Sequence, residues 1–367
     1  MRTPMKSITH DFEHRYGGYV LIGICVIAAS WAIISLTSQT GIGMNVDSNH
    51  IDHIGSYLSG LVGIVTIYYL YWTFRSQNLS NRMSLFESRY IQMIAMHWEK
   101  ANNLTVQDTM SDNLPTMTGQ DAIETFIRHY KRAYEIVVEF MADKNVQSVY
   151  VSQEMYQREY SNWTEQRIRE RMCSNLAYLI TFIGVKDSGI RLLRDRYLTP
   201  YKVEFTDELL SIFVRKLAPG DTLADIPQSP LTDAKIVASQ NKAFGGFQYE
   251  TGNYFRQLYQ MVQYVNGQDW LTYEDKYEYV KMLRVQMSNQ EEELLFYNSI
   301  SDVGLAWEKQ PSLASDVNKQ LLTKYNILKN IPHGTSTPKV EDFYPNIEYE
   351  DVLTIPNGRN DLIRRYD

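Results

Sequence analysis

Basic and aromatic side chains alternate through residues 156–202, in a pattern that suits binding of a nucleotide or of single-stranded nucleic acid. The stretch holds nine Lys or Arg against five Asp or Glu, although the whole chain carries a net charge of −7. Arginine forks match phosphate oxygens, and aromatic rings stack on bases. The alternative is a solvated helix face with internal pairs such as Glu165–Arg169. The candidate ligand residues here are Arg167, Arg169, Arg191, Arg194 and Arg196.

A second candidate site lies on a polar helix face further along the chain. Thr272 followed by Asp275 predicts the start of this helix by the capping-box pattern. Lys281 and Arg284 then share one face with other polar side chains. This face predicts either a pocket for an anionic ligand or a buried hydrogen-bond network between helices. Arg256, in the preceding helical stretch, completes the set of candidate ligand residues.

Catalytic chemistry has little support in the sequence. No paired acid and base stands out, and no HExxH, CxxC, GxSxG or glycine-rich phosphate loop occurs. His97 and His129 have no His, Cys or carboxylate neighbours at the spacing of metal ligands. With only two cysteines, Cys25 and Cys173, no disulfide framework is implied. We therefore predict that the protein is not an enzyme, with no catalytic residue, metal site or cofactor.

Two uncharged stretches near the start of the chain predict a membrane hairpin, with spans at about residues 17–37 and 54–74. The second stretch, Ile54–Phe74, has the length of a helix that crosses a bilayer. Basic residues flank both stretches, and the loop between them has no Lys or Arg. The positive-inside rule then predicts that both termini lie in the cytoplasm.

Small polar side chains recur every seven residues along the second predicted span. Such a stripe predicts either close helix packing or the lining of a narrow pore in an oligomer. The candidate pore-lining residues are Asp52, Ser56, Ser59, Gly63, Thr66 and Thr73.

The remainder of the chain predicts a helical body, so the predicted fold class is all-α. Apolar residues at helical spacing and few Gly or Pro predict helices from residue 77 to 330, including an apolar face on residues 120–142 and a core helix at 176–183. Residues 331–367 are rich in Pro, Asn and Asp and predict an extended tail. The predicted domains are thus a transmembrane hairpin at 1–76, a cytosolic helical sensor at 77–330 and a tail at 331–367.

Several motifs resemble the AbiC-like phage abortive-infection membrane proteins of bacteria. The closest are YFRQLY at 254–259, KYEYVKMLRVQMS at 276–288 and LLFYN at 294–298; FESRYIQMIAMH at 86–97 and GQDA at 119–122 also fit. The resemblance covers roughly residues 76–330. It implies antiviral defence, usually by harming or stopping the infected cell, and it supplies no established catalytic residues.

Residues and resemblance together predict an anti-phage effector of the bacterial inner membrane that acts as a homo-oligomeric, ligand-gated ion channel, for example a tetramer. Several copies are needed because two spans cannot enclose a pore. The predicted cue is a nucleotide, a short single-stranded nucleic acid or a phage component. The alternative is a membrane-tethered binding module that captures a phage component or recruits a partner without conducting ions.

Overall fold

The computed structural model describes residues 48–111, 113–160, 163–214, 244–308 and 320–349. The chain divides into two compact units, Met1–Ile91 and Gln92–Asp367, which are treated separately below. The helices of the described residues are α1 Ser48–Asn102, α2 Gln120–Met141, α3 Gln153–Tyr160, α4 Glu165–Ile183, α5 Asp187–Leu192, α6 Val203–Val214, α7 Gln248–Asn266, α8 Tyr273–Gln286, α9 Asn289–Ser299, α10 Leu321–Lys324 and α11 Val340–Phe343.

The predicted transmembrane hairpin is wrong. In the described part of the chain, no helix combines the length and the apolar character that crossing a membrane requires. The stretch 54–74 lies within α1, and its tyrosines and Trp72 are less apolar than the aliphatic residues that fill most spans. The first predicted span, 17–37, lies outside the described residues. The predicted inner-membrane localisation depended on the two spans, so it is not supported either.

Two of the hydroxyls predicted to line a pore, those of Thr66 and Thr73, bond to their own helix. Thr66 Oγ1 donates to the carbonyl of Val62 at 2.7 Å, and Thr73 Oγ1 donates to the carbonyl of Tyr69 at 2.8 Å. Such bonds satisfy the hydroxyls without water or an ion. The side chains of Asp52 and Ser56 lie outside the described residues, and a Cβ added at Gly63 would meet nothing within 4 Å.

The core of the second unit forms where α2 packs against α4 and α9. The apolar face predicted for residues 120–142 is confirmed, because Ile123, Phe126 and Tyr130 are fully buried. The Tyr130 ring stacks on Tyr297 of α9 with centroids 3.9 Å apart, and its hydroxyl meets Ser174 of α4 at 2.7 Å. The predicted core helix at 176–183 is also confirmed as the buried second half of α4.

The end of α4 crosses closely over the segment that leads into α7. Gly184 and Gly246 have φ of +85° and +89°, which favour glycine. The amide of Val185 donates to the carbonyl of Phe244 at 2.9 Å, and the amide of Phe247 donates to the carbonyl of Phe182 at 2.8 Å. These two bonds fix the start of α7 against the end of α4.

Two expectations for the non-helical parts need correction. The chain is not purely helical, because Thr105–Gln107 and Thr116–Thr118 pair as two antiparallel strands, β1 and β2, with Val106 opposite Met117. The predicted tail packs against the helical body as far as residue 349. Tyr344 is buried, and its hydroxyl meets Ser299 of α9 at 2.7 Å. Apolar side chains spaced too irregularly to indicate a helix account for this packing.

Candidate ligand-binding groove

One face of α7 forms the floor of an open groove of about 610 Å³. Residues on successive turns reach it, because positions three and four apart share a helix face. They are Gln248, Tyr249, Gly252, Asn253, Phe255, Arg256 and Tyr259. The space over Gly252 is open, since a Cβ there would touch only the Phe182 ring at 3.9 Å.

The opposite wall comes from the turn that follows α9. Gly304 lets this turn pass against the helix end, because a Cβ at residue 304 would lie 2.1 Å from the carbonyl oxygen of Asn298. The turn places Trp307 edge-on to Tyr259, with ring centroids 5.2 Å apart. Tyr197, from the π-helical segment Leu193–Tyr197, closes the remaining side.

The polar groups of the groove are cationic or neutral. Arg256 is exposed and donates to Asn253 Oδ1 at 2.8 Å, and no carboxylate of the described residues pairs with it. The Arg196 guanidinium lies 5.5 Å from the Tyr197 ring centroid and adds a second positive charge beside the groove. The Tyr249 side chain is 88% exposed at the rim. An arginine with free donors near the exposed Tyr249 ring can bind a phosphate whose base stacks on that ring.

The predicted ligand residues do not form a single site. Arg256 lines the groove and Arg196 lies beside it, whereas Arg194 pairs with Asp207 at 2.7 Å and Arg191 is exposed on α5. Arg169 donates to the carbonyls of Met141 and Lys144 and thereby caps the end of α2. The guanidinium of Arg167 lies 4.2 Å from the Trp163 ring centroid, away from the groove.

The polar helix face around Lys281 forms contacts within the protein. Arg284 is buried and donates to the carbonyl of Asn326 at 2.8 Å, while Lys281 pairs with Glu278 of its own helix at 3.0 Å. The predicted capping box of Thr272 and Asp275 is confirmed, and Ser288 with Glu291 forms a second one. The observed contacts are those expected of a network between helices.

Groove residues outside the predicted set are mainly uncharged. The groove is lined by Tyr249, Asn253, Tyr259 and Trp307, whereas every candidate ligand residue predicted from the sequence is a lysine or an arginine. The helical spacing of 249, 252, 253, 256 and 259 could have revealed the face of α7. Trp307 had no comparable signal, because its place depends on the turn at Gly304.

Sequence analysis also missed a cluster of titratable side chains near β1, in which Asp108 and His129 are buried and Arg128 is half exposed. His129 of α2 meets Asp108 at 2.8 Å, and Arg128 pairs with the other oxygen of this carboxylate at 2.7 Å. Although burial acts in the opposite direction, the His129 hydrogen bond and the Arg128 charge hold the pKa of Asp108 below its ordinary value. Burial lowers the pKa of His129 despite its carboxylate partner. Twenty-one residues separate His129 from Asp108, so local spacing could not show the pair.

A second buried histidine lies near the capping carboxylate of α9. The His97 ring is 4.8 Å from that of Tyr254, whose hydroxyl donates to Glu291 at 3.0 Å. Neither ring nitrogen of His97 has a hydrogen-bond partner among the described residues. Burial lowers the pKa of His97, although the Glu291 carboxylate acts in the opposite direction. Within the described ranges, no three His, Cys, Asp or Glu side chains are grouped to hold a metal ion.

Comparison with known proteins gives one match. A family model described as "Putative phage abortive infection protein" (putAbiC) matches residues 246–336, about a quarter of the chain. The match confirms the resemblance to abortive-infection proteins for this segment. All lining residues of the groove except Phe182, Leu192 and Tyr197 lie within it. Comparison with curated proteins and with solved structures finds no match.

Proposed function

We propose that the protein acts in anti-phage defence by binding a nucleotide or a short single-stranded nucleic acid in the groove on α7. The family match indicates anti-phage defence, and the groove is built almost wholly from the matched segment. That coincidence is the observation that carries the proposal. The ligand class follows from the donors of Arg256 and the exposed ring of Tyr249.

The proposed binding mode divides the ligand between two kinds of contact. Arg256 takes a phosphate group, and Tyr249 stacks on a base at the rim. A hydrogen bond to a charged group contributes about 1.5–3 kcal/mol, and base stacking contributes about 1–3 kcal/mol. One contact of each kind sums to about 2.5–6 kcal/mol, so we expect weak binding, with an affinity of about millimolar order. The ion-channel mechanism has no place in this proposal, because no described helix could span a membrane.

Binding of a fluorescein-labelled oligonucleotide to the full chain tests the proposed ligand. We expect saturable binding at low salt that weakens as salt rises, because phosphate contacts release counterions. Arg256→Ala should lower the slope of log affinity against log salt by about 0.7, the value for one single-strand phosphate contact. Tyr249→Ala should weaken binding about tenfold through lost stacking. Lys281→Ala is the matched control, since it removes an equal charge outside the groove and should leave binding unchanged.

The nucleotide proposal would be overturned if the wild type does not bind at low salt. It would also be overturned if Arg256→Ala and Tyr249→Ala both bind with the affinity of the wild type. Phage plating on bacteria that carry the wild type or either variant then tests the role in defence. Protection that survives both substitutions would favour the alternative function, a module that captures a phage component or recruits a partner.

Self-association is a second part of the proposal, and the exposed helix Ser59–Phe74 supports it. The large apolar side chains Val62, Ile64, Ile67, Tyr69, Tyr71 and Phe74 are each at least 60% exposed. A helix that is apolar all round needs a partner surface. A second copy fits, because the stretch carries no charge and its threonine hydroxyls are already bonded within the helix. Aromatic and aliphatic side chains of this number can supply the roughly 800 Å² per partner of a stable interface.

We therefore expect purified full-length protein to be an oligomer by light scattering. Thr66→Glu places a charge in the seam of small polar residues and should shift the mass towards the monomer. Val285→Glu is the matched control, because it places the same charge at an equally exposed apolar residue outside this stretch, and it should retain the assembly. A monomeric wild type, or equal dissociation of both variants, would contradict the proposed seam.

A further inference from the structure

A second cleft, separate from the groove, lies between the end of α2 and the start of α4. It has a volume of about 410 Å³ and shares no lining residue with the groove. Tyr156, Tyr160 and Trp163 form its aromatic wall. Successive ring centroids are 5.6 and 5.7 Å apart, and the ring planes are tilted by 57° and 59°. Three mutually tilted rings on one cavity give a ridged aromatic surface.

Arginines hold two of these rings in place. The Arg167 guanidinium lies 4.2 Å from the Trp163 ring centroid, and Arg171 donates to the Tyr160 hydroxyl. Arg171 is itself held by Asp302 at 3.7 Å. The rings are therefore pre-organised, which lowers the entropy cost of binding. Neither arginine is among the residues that line the cleft, whereas the Glu165 carboxylate is one of them and disfavours an anion.

The cleft offers several hydrogen-bond donors that make no hydrogen bond to any described residue. Two belong to the aromatic wall, the Tyr156 hydroxyl and the Trp163 indole N–H, and three are the side-chain amides of Asn145, Gln147 and Gln157. Partial burial and the neighbouring Glu165 carboxylate raise the pKa of Tyr156, so this hydroxyl stays protonated at neutral pH. The cleft therefore combines aromatic surface with donors and suits a largely uncharged ligand rich in acceptors.

We propose that this cleft binds a proline-rich peptide segment in the extended polyproline II conformation. Proline residues present carbonyl acceptors and flat apolar rings, and they have no backbone N–H that would need an acceptor. Ridged aromatic surfaces bearing tryptophan, tyrosine and amide donors recognise such segments, whose conformation is formed before binding. Glu165 adds a preference for an arginine or lysine next to the prolines, because it is the charged residue lining the cleft.

Titration of the full chain with a hexaproline peptide ending in arginine, followed by calorimetry, tests the proposal. We expect saturable binding. Tyr156→Phe and Trp163→Phe each remove one donor and keep an aromatic ring, so each should weaken binding about fivefold. Glu165→Gln should weaken binding of this peptide but not that of hexaproline without the arginine. Arg256→Ala, which alters the groove, is the control and should bind the peptide as the wild type does.

Thermal melts establish that each variant is folded. Tyr156→Phe keeps the half-buried ring and removes no protein hydrogen bond among the described residues, so it remains informative if Trp163→Phe disturbs Arg167. No saturable binding of either peptide up to millimolar concentration would overturn the proposal, as would wild-type affinity in Tyr156→Phe. Binding of a mononucleotide that Tyr156→Phe or Trp163→Phe weakens, with no peptide binding, would assign the cleft to a different ligand class.

Discussion

Gly184→Ala is expected to destabilise the second unit by about 3–5 kcal/mol or to prevent its folding. Two costs combine at this residue. Its φ of +85° and ψ of 164° lie in a region that is essentially restricted to glycine, and other residues lose about 1–3 kcal/mol there. A Cβ would also lie 2.5 Å from the backbone of Gly245 and Gly246, which cannot move without breaking the bonds that anchor α7. Denaturant unfolding followed by circular dichroism measures the effect.

Substitutions at two other glycines distinguish the cost of backbone strain from the cost of the steric clash. Gly334 has a φ of +69° but open space around its Cβ position, so Gly334→Ala carries backbone strain alone and should cost about 1 kcal/mol. Gly252 is an ordinary helical glycine with one loose contact, so Gly252→Ala should be neutral or stabilising by up to about 1 kcal/mol. If Gly184→Ala lowers the free energy of unfolding no more than Gly334→Ala does, then α4 does not pass as closely over residues 244–247 as the structure shows.

The sequence predicted those elements whose signal is local. The apolar face of α2, the buried half of α4 and the capping box at Thr272 depend on residues three or four positions apart, and all three are confirmed. The second capping box, at Ser288, has the same kind of local signal. The short strand pair was missed because three-residue strands carry almost no periodicity.

The candidate site was only partly predictable, because the identity of a charged residue does not show which groups its side chain contacts in the fold. Arg169 and Arg256 look alike in sequence, yet Arg169 bonds to the end of α2 while Arg256 remains exposed in the groove. Their surroundings come from residues far apart in the chain. The wrong prediction of a membrane span had a related cause. Residues 54–74 carry no charge, but a helix that crosses a membrane must also be apolar enough, and no described helix meets that requirement.

Arg284→Ala is expected to destabilise the protein by about 3–5 kcal/mol without acting through a ligand. The side chain is 6% exposed, and no carboxylate of the described residues pairs with it. Instead Nη1 donates to the carbonyls of Tyr325 and Asn326 at 3.4 and 2.8 Å. Removing the guanidinium leaves these carbonyls without their donor and opens a cavity, and both changes destabilise. Asn326 has a φ of +49°, and the bond to its carbonyl helps to hold this left-handed turn.

Chemical denaturation of Arg284→Ala, Arg284→Lys and Lys281→Ala distinguishes a structural role from a ligand-binding one. Arg284→Lys keeps the charge but replaces the planar fork with a single point donor, so we expect an intermediate loss of about 1–2 kcal/mol. Lys281→Ala removes a half-exposed lysine paired within its own helix and should cost less than about 0.5 kcal/mol. A fully stable Arg284→Ala variant with weakened oligonucleotide binding would reverse the assignment and make this arginine a ligand residue. The expected result is an Arg284→Lys variant that is less stable than the wild type but, when folded, binds the oligonucleotide equally well. Arg284 would then have a structural role, as expected if the ligand contacts lie in the groove around Arg256.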